Sequence, residues 1–226
     1  IDEIILINEI AKKHNIIQKI LVRVTPGVDS HTHSYISTAS IDSKFGIPLT
    51  TMSEVVSKCL SLSNIELTGF HFHVGSQLLE NNSHIMAIEI ILNLIKGLKS
   101  SLDFETKEFN LGGGFGIKYT KEDNVPPITT FIEPMVTTIK NYCSENNLKM
   151  PVLYIEPGRW IVGDAGITLY TVQNTKEIPN IKTYLSVDGG MPDNIRPALY
   201  QAKYEAEIAN KIDASKTEKY TIAGKC

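Results

Sequence analysis

Cysteine is scarce in this chain, with three in 226 residues, at positions 59, 143 and 226. That scatter offers neither a disulfide framework nor a metal-type pair, so a reduced, cytoplasmic setting is expected. An excess of one charge is missing too. A net charge of −3 supplies no basic field for nucleic acid. No apolar run reaches membrane-span length, and no signal-peptide pattern opens the sequence. A nucleotide loop is absent as well: there is no Gly-Lys-Ser/Thr and no dinucleotide fingerprint in its usual spacing. What remains is a chain long enough to bury one sizeable core. Ile1 stands inside a helical pattern and Cys226 directly follows a strand-like run. Both ends read as internal to a longer protein.

The apolar pattern alternates between two periods. Ile4, Ile7, Ala11 and His14 follow helical spacing, and Ile20-Leu-Val-Arg-Val24 is a strand stopped by Pro26-Gly27. A polar loop carrying His31 and His33 comes next. Thr51 with Glu54 resembles a capping box opening a short helix. Ile65 to Val74 reads as a strand with Phe70, Phe72 and Val74 on one face and Gly69, His71 and His73 on the other. Ile85, Ile88, Leu92 and Ile95 mark a helix, Glu108 to Leu111 a strand, Phe131, Met135, Ile139 and Tyr142 a helix, and Val152 to Ile155 a strand. This is the pattern of parallel βα units. Four such strands stand before residue 157, about half of what a closed (β/α)8 barrel needs. After Trp160 the runs Ile167 to Gln173 and Ile181 to Val187 have no helix of comparable length between them. The expected architecture is therefore α/β: a partial (β/α)8 TIM barrel over residues 1–159, then part of an antiparallel β domain over 160–226. Residues Pro197 to Asn210 suit either a short helix or more strand.

Four motifs stand at the expected strand ends: Arg23-Val-Thr-Pro-Gly27, His71-Phe-His-Val-Gly-Ser76, Gly112-Gly-Gly114 and Glu156-Pro-Gly-Arg159. Successive strand ends carrying such residues suggest one site at the carboxyl ends of a parallel barrel. The glycines admit backbone N–H groups to an anion, helped by a helix starting soon afterward, or simply make a tight turn. His73 can stack on a flat ring with Ser76 donating to a phosphate, or be satisfied by backbone. His71 and His73 at i, i+2 also permit a metal pair, although the other strand ends carry no further ligands of that type. Glu156 either pairs with Arg159 or meets a cationic ligand, which leaves Arg159 to fork onto an anion. Arg196 and Tyr200 lie four apart, on one helical face. They are plain surface residues unless they join Arg159 around a carboxylate.

Taken together, these residues resemble the diaminopimelate decarboxylases, pyridoxal-phosphate enzymes of the alanine-racemase-like barrel group. The resemblance runs through Thr25-Pro-Gly27, Ser43-Lys-Phe-Gly46, His71 to Gln77, Leu111-Gly-Gly-Gly-Phe-Gly116, Ile155 to Arg159, Gly163-Asp-Ala-Gly166 and Asp188 to Tyr200. It implies decarboxylation of meso-2,6-diaminopimelate to L-lysine, with pyridoxal 5'-phosphate as electron sink. In that frame His73 and Glu156 are the catalytic groups, one stacking on the cofactor ring and the other pairing with its nitrogen. Ser76, Gly113, Gly114 and the backbone of Pro157, Gly158 and Arg159 would hold the phosphate. Arg23 would lie near the phenolic oxygen, and Arg159, Arg196 and Tyr200 would bind substrate carboxylate. No metal is implied.

Two family residues have no counterpart here: the lysine that anchors the cofactor, and the cysteine of a Cys-Glu-Ser-Gly-Asp motif, which Cys226 would immediately precede. A homodimer with shared active sites is implied, acting on a small amino acid, with neither nucleic acid nor membrane as partner. Related carboxynorspermidine, ornithine or arginine decarboxylases, or a non-catalytic binding relative, remain alternatives.

Overall fold

The computed structural model describes residues 1–28 and 43–225. His31, His33 and Cys226 therefore lie outside the described residues. The chain divides into two compact units, one of Ile1–Ile117 with Val125–Gly163, the other of Lys118–Asn124 with Asp164–Cys226.

The first unit is built from parallel βα repeats. Helix α1 (Asp2–Lys13) leads to β1 (Gln18–Thr25) and the two-residue β2 (Ile47–Pro48). Then come α2 (Met52–Leu60), β3 (Ile65–His71), α3 (Asn82–Leu102), β4 (Glu108–Gly113), α4 (Thr129–Glu145), β5 (Val152–Glu156) and the short α5 (Gly158–Val162). The strands form one sheet in the order β2-β1-β3-β4-β5, parallel at every pairing. This is the partial-barrel pattern read from the sequence, with β2 as an added edge strand.

Period-2 alternation decides which side is core. Phe70, Phe72 and Val74 are fully buried, as are Phe109 and Leu111 one strand over. Helices α3 and α4 cover that face with Ile88, Ile91, Leu92, Met135 and Ile139. Phe70 meets Phe104 edge-on at 5.8 Å, and Phe72 tilts against Phe109 at 5.7 Å. Each large side chain buried this way contributes about 1.5–3 kcal/mol, and the aromatic contacts tie β3 to β4 and to the loop that precedes β4. The opposite face is left to the polar alternates of the same strands.

Three local expectations are corrected. Thr51 does precede α2, but its hydroxyl donates to Pro48 O at 3.2 Å and makes no capping hydrogen bond. β3 ends at His71, so His73 stands just past the strand. The helix after the triple glycine begins only at Thr129, too far along the chain for its positive end to follow directly on the glycines.

The second unit holds a three-stranded sheet of β6 (Val172–Ile178), β7 (Lys182–Gly190) and β8 (Tyr220–Lys225). β6 and β7 form an antiparallel hairpin whose tight turn places Asn180 at φ 61°, a left-handed conformation that Asn tolerates. β8 pairs with β7 in parallel, so the sheet is mixed rather than wholly antiparallel. The long connection from Met191 to Lys219 permits this, since parallel neighbours need a crossover. Within it α6 (Arg196–Tyr200) is a five-residue helix. The stretch beyond it is irregular rather than helix or strand, apart from one helical turn at Ala209–Lys211.

Candidate active site

Register across the parallel sheet assembles the site. Arg23 on β1 is opposite His71 on β3, His71 opposite Asn110 on β4, and Asn110 opposite Tyr154 on β5. In-register residues of adjacent strands project to the same face. One level higher, Gly113 pairs with Glu156. Four strands thus bring an arginine, an imidazole, an amide, a phenol and a carboxylate to the carboxyl end of the sheet. This is the end where barrels of this kind carry out chemistry. A separate surface groove lined by Phe104, Thr106, Cys143, Leu148 and Pro151 lies at the amino end of β4 and β5, the stabilising rather than the reactive end.

Glu156 is held on both oxygens. Asn110 Nδ2 donates to Oε1 at 2.8 Å, while His71 Nε2 stands 3.4 Å from Oε2. The second distance is long for a hydrogen bond, so that contact is weak. Accordingly, His71 Nε2 is a buried nitrogen without a hydrogen-bond partner among the described residues. Burial pushes the His71 pKa down, against the pull of Glu156. Asn110 also accepts the Gly112 N–H at 2.9 Å, so one amide ties the carboxylate to the glycine loop. Burial lowers the pKa of Arg23 as well, with Glu156 acting in opposition. Arg23 lies 4.8 Å from the Phe45 ring centroid.

His73 is the strongly perturbed group. Its pKa falls to about 4, first through burial and then through the positive charge of Arg23, outweighing Glu156. Its Nδ1 accepts the Gly113 N–H at 3.2 Å. The ring is therefore neutral at pH 7 with its proton on Nε2, a tautomer assigned from the partner. His71 and His73 point at different partners, Glu156 and the glycine loop, instead of converging as a metal pair would.

The glycines divide into two kinds. Gly112 and Gly114 have φ of 67° and 93°, and a Cβ at either would overlap a backbone carbonyl, that of Phe72 or of Gly75. A Cβ at Gly113 would overlap the Glu156 carbonyl. Strand-end packing alone thus demands all three. Gly158 is different: its φ is ordinary, and a Cβ there would meet nothing within 4 Å. Nothing among the described residues requires a glycine at that position, which leaves space for a ligand to approach the backbone.

Arg159 Nη1 donates to Gln77 Oε1 at 3.2 Å. Gln77, at φ 58°, also brackets Ile117, donating to its carbonyl at 2.6 Å and accepting its N–H at 3.2 Å. Ser76 is half-buried beside this clamp, and Pro157 stands between Glu156 and Gly158. Arg196 and Tyr200 belong to the second unit, at the two ends of α6. There the Arg196 guanidinium lies over the rings of Tyr119 and Tyr204 at 4.6 and 5.6 Å and donates to Tyr204 Oη.

Sequence reading missed Asn110, Gln77 and His84, whose Nε2 lies 3.0 Å from Gly113 O. Asn110 was findable: Phe109 and Leu111 are core, so the residue between them faces the site. Gln77 and His84 act through loop contacts that no periodicity encodes.

The donor set suits a flat, phosphorylated pyridine. Glu156 has an oxygen facing only a neutral imidazole, His73 supplies a neutral flat ring, and Gly158 leaves room at the backbone. Comparisons agree. The family profile of the pyridoxal-dependent decarboxylase pyridoxal-binding domain matches residues 1–163. Diaminopimelate decarboxylase of Halalkalibacterium halodurans is 45% identical over 226 residues, covering 99% of this chain and 52% of that protein. That of Bacillus subtilis is 44% identical over the same span, again 99% and 52%. The crystal structure of the Helicobacter pylori diaminopimelate decarboxylase with L-lysine superposes with a TM-score of 0.84 at 28% identity, covering 98% of this chain and 52% of that one. The M. jannaschii diaminopimelate decarboxylase with L-lysine gives 0.82 at 32% identity, covering 99% and 50%. The chain spans about half the length of the curated relatives it matches. It belongs to the pyridoxal-dependent decarboxylase family.

Proposed function

We propose that the complete polypeptide carrying this chain decarboxylates meso-2,6-diaminopimelate to L-lysine and carbon dioxide, using pyridoxal 5'-phosphate. The observation that carries this is Glu156, fixed by Asn110 and facing His71 at the carboxyl end of the sheet, with the buried His73 on the neighbouring glycine loop. Relatives named diaminopimelate decarboxylase, and two of their structures holding L-lysine, point to the substrate.

When bound, the cofactor supplies an electron sink for the carbon that loses carbon dioxide. The protein's own part is electrostatic and positional. Glu156 holds a proton on the ring nitrogen, because an adjacent anion favours the charged form. Asn110 keeps the carboxylate in place. Neutral His73 gives the ring face a flat support without adding a competing positive charge. Ser76, Gly114 and the backbone of Pro157, Gly158 and Arg159 would hold the phosphate, with Gly113 beside it but its N–H given to His73, and Arg23 would stand at the phenolic oxygen. Arg159, Arg196 and Tyr200 recognise the substrate's distal carboxylate, which ornithine and lysine lack.

The active form is a cytoplasmic homodimer whose partner subunit completes each site. No helix among the described residues is long and apolar enough to cross a membrane.

The test is product analysis on the complete polypeptide with pyridoxal phosphate. Incubation with meso-diaminopimelate, ornithine, arginine and carboxynorspermidine should release carbon dioxide far faster from the first than from the others, with lysine as its product. Preference for another substrate would reassign the activity within the family. Cofactor binding with no turnover of any of them would favour a binding role instead.

A further inference from the structure

Gln77 follows Ser76 in the loop beyond β3, with φ at 58°. That left-handed region is where a chain ordinarily places glycine or asparagine, and holding a longer side chain there costs stability. The side chain is fully engaged. Nε2 donates to Ile117 O at 2.6 Å, and Oε1 accepts both the Ile117 N–H and Arg159 Nη1, each at 3.2 Å. Ile117 offers one donor and one acceptor, so the amide can face it only one way round, with its oxygen toward Arg159.

The two bonds to Ile117 continue a ladder between loops. Leu78 N–H donates to Gly114 O at 2.9 Å and Gly116 N–H to Leu78 O at 2.8 Å, and the Gln77 amide serves the next residue, Ile117. A clamp between those loops needs nothing more. The bond to Arg159 is additional: it uses the second lone pair of Oε1 and reaches α5, beyond a third strand end. The stem of Arg159 is confined as well. A Cβ at Gly163 would stand 2.2 Å from Ile117 Cδ1 and 3.4 Å from Arg159 Cγ, so the Ile117 and Arg159 side chains share the space that Gly163 leaves. With the stem lodged and Nη1 held, the plane of the guanidinium is restricted, because the donors of an arginine form one rigid fork.

We propose that Gln77 is a positioning residue whose Oε1 aims the Arg159 guanidinium at the substrate's distal carboxylate. This rests on the reading of Arg159 as a substrate ligand given above, and it makes Gln77 act on substrate capture, through Arg159, and not on the cofactor.

The experiment measures steady-state kinetics with meso-diaminopimelate, and pyridoxal phosphate affinity, on the complete polypeptide as wild type, Gln77→Met, Arg159→Ala and the double variant. Gln77→Met keeps the side-chain length and removes the amide. It should lower kcat/KM about tenfold, chiefly through KM, because a hydrogen bond to a charged group is lost. In the Arg159→Ala background the same change should cost less than about twofold, since residues acting through one contact are not additive. Pyridoxal phosphate affinity should stay as in the wild type. Tenfold losses in both backgrounds, or a parallel loss of cofactor affinity, would show a clamp that only supports the loops and overturn the proposal. A wild type that leaves diaminopimelate untouched, or an Arg159→Ala protein with full activity, sinks the substrate reading and Gln77's role with it. A damaged Arg159→Ala protein beside an unimpaired Gln77→Met sinks Gln77's role alone. Should Gln77→Met fail to fold, a crystal structure of the complete wild-type protein with pimelate, the same dicarboxylate without its amino groups, decides. Arg159 must touch a carboxylate while still bonded to Gln77, and an Arg159 that releases Gln77 to reach it refutes the proposal.

Discussion

Asn110 Nδ2 donates to Glu156 Oε1 at 2.8 Å, bridging the ends of two neighbouring parallel strands. The same side chain accepts the Gly112 N–H, so its two functions separate by substitution. Asn110→Asp keeps the acceptor for Gly112 but sets a second carboxylate beside Glu156, and like charges raise a carboxyl pKa. We expect kcat/KM for diaminopimelate to fall about 100-fold in Asn110→Asp and about tenfold in Asn110→Ala, a hydrogen bond to a charged group being worth roughly 1.5–3 kcal/mol. Steady-state kinetics on the complete enzyme measures this. Similar values for Asn110→Asp and wild type would mean that Asn110 has no part in orienting Glu156.

Glu156 itself gives the sharpest catalytic prediction. Glu156→Gln preserves size and the contact with Asn110 but no longer favours a proton on the ring nitrogen. Cofactor affinity should change little while kcat falls by about 100-fold or more, since loss of a charge-stabilising group of this kind costs roughly 3 kcal/mol. Near-normal turnover would remove Glu156 from the proposed role.

Two glycines, substituted alike, should behave in opposite ways. In Gly112→Ala the new methyl overlaps the Phe72 carbonyl at a φ of 67°, so the protein should lose more than about 2 kcal/mol of stability. In Gly158→Ala the methyl meets open space at the start of α5. Folding should be unchanged or stabilised by about 0.5–1 kcal/mol, because Gly in a helix is unfavourable relative to Ala. Pyridoxal phosphate affinity should nonetheless drop. Thermal melts of the apo forms with cofactor titrations settle both. A Gly158→Ala protein with full cofactor affinity would remove Gly158 from the phosphate site.

The contrast shows what the sequence made legible. The parallel βα repeat and the core face at β3 followed from periodicity, because Phe70, Phe72 and Val74 occupy alternate positions and all three are buried. The strand-end motifs marked the site for the same reason: they interrupt apolar strands with residues a core would reject. The triple glycine was read as an anion cradle or a tight turn, and its steric necessity comes from backbone far along the chain, at Phe72 and Gly75 just past β3 and at Glu156 on β5. His84 was invisible because its spacing fits the buried face of α3, and only the loop packed beneath it reveals a polar contact. Arg196 was identified by its spacing from Tyr200, but its aromatic partners Tyr119 and Tyr204 lie outside that turn.

His73 makes stability pH-dependent with a definite sign. Its folded pKa of about 4 lies below its ordinary value of 6.5. Between these values the unfolded chain binds the extra proton, so stability rises with pH across that window. The contribution is complete above about pH 6.5 and is lost as pH falls toward 4. Apo-protein melts from pH 7 to 4 should therefore show a falling Tm, and His73→Phe should flatten part of that slope. An identical slope in the variant would show that His73 is not the buried neutral histidine responsible.

The proposed recognition of the distal carboxylate makes Arg196 the residue that tests substrate choice. Its guanidinium lies over the Tyr119 and Tyr204 rings and donates to the Tyr204 hydroxyl, which orients its planar group at low conformational cost. Diaminopimelate carries a distal carboxylate beside its distal ammonium, whereas lysine-like competitors end in the ammonium alone. Removing a charged partner for that carboxylate should therefore cost only the substrate that has one. Arg196→Ala should raise KM and lower kcat for diaminopimelate, reducing kcat/KM by roughly 100-fold, while the weak turnover of ornithine or lysine changes by less than about threefold. Arg196→Lys should recover little, because an ammonium cannot reproduce the bidentate fork. Equal losses on every substrate would show that Arg196 supports the second unit's structure rather than recognising the distal carboxylate.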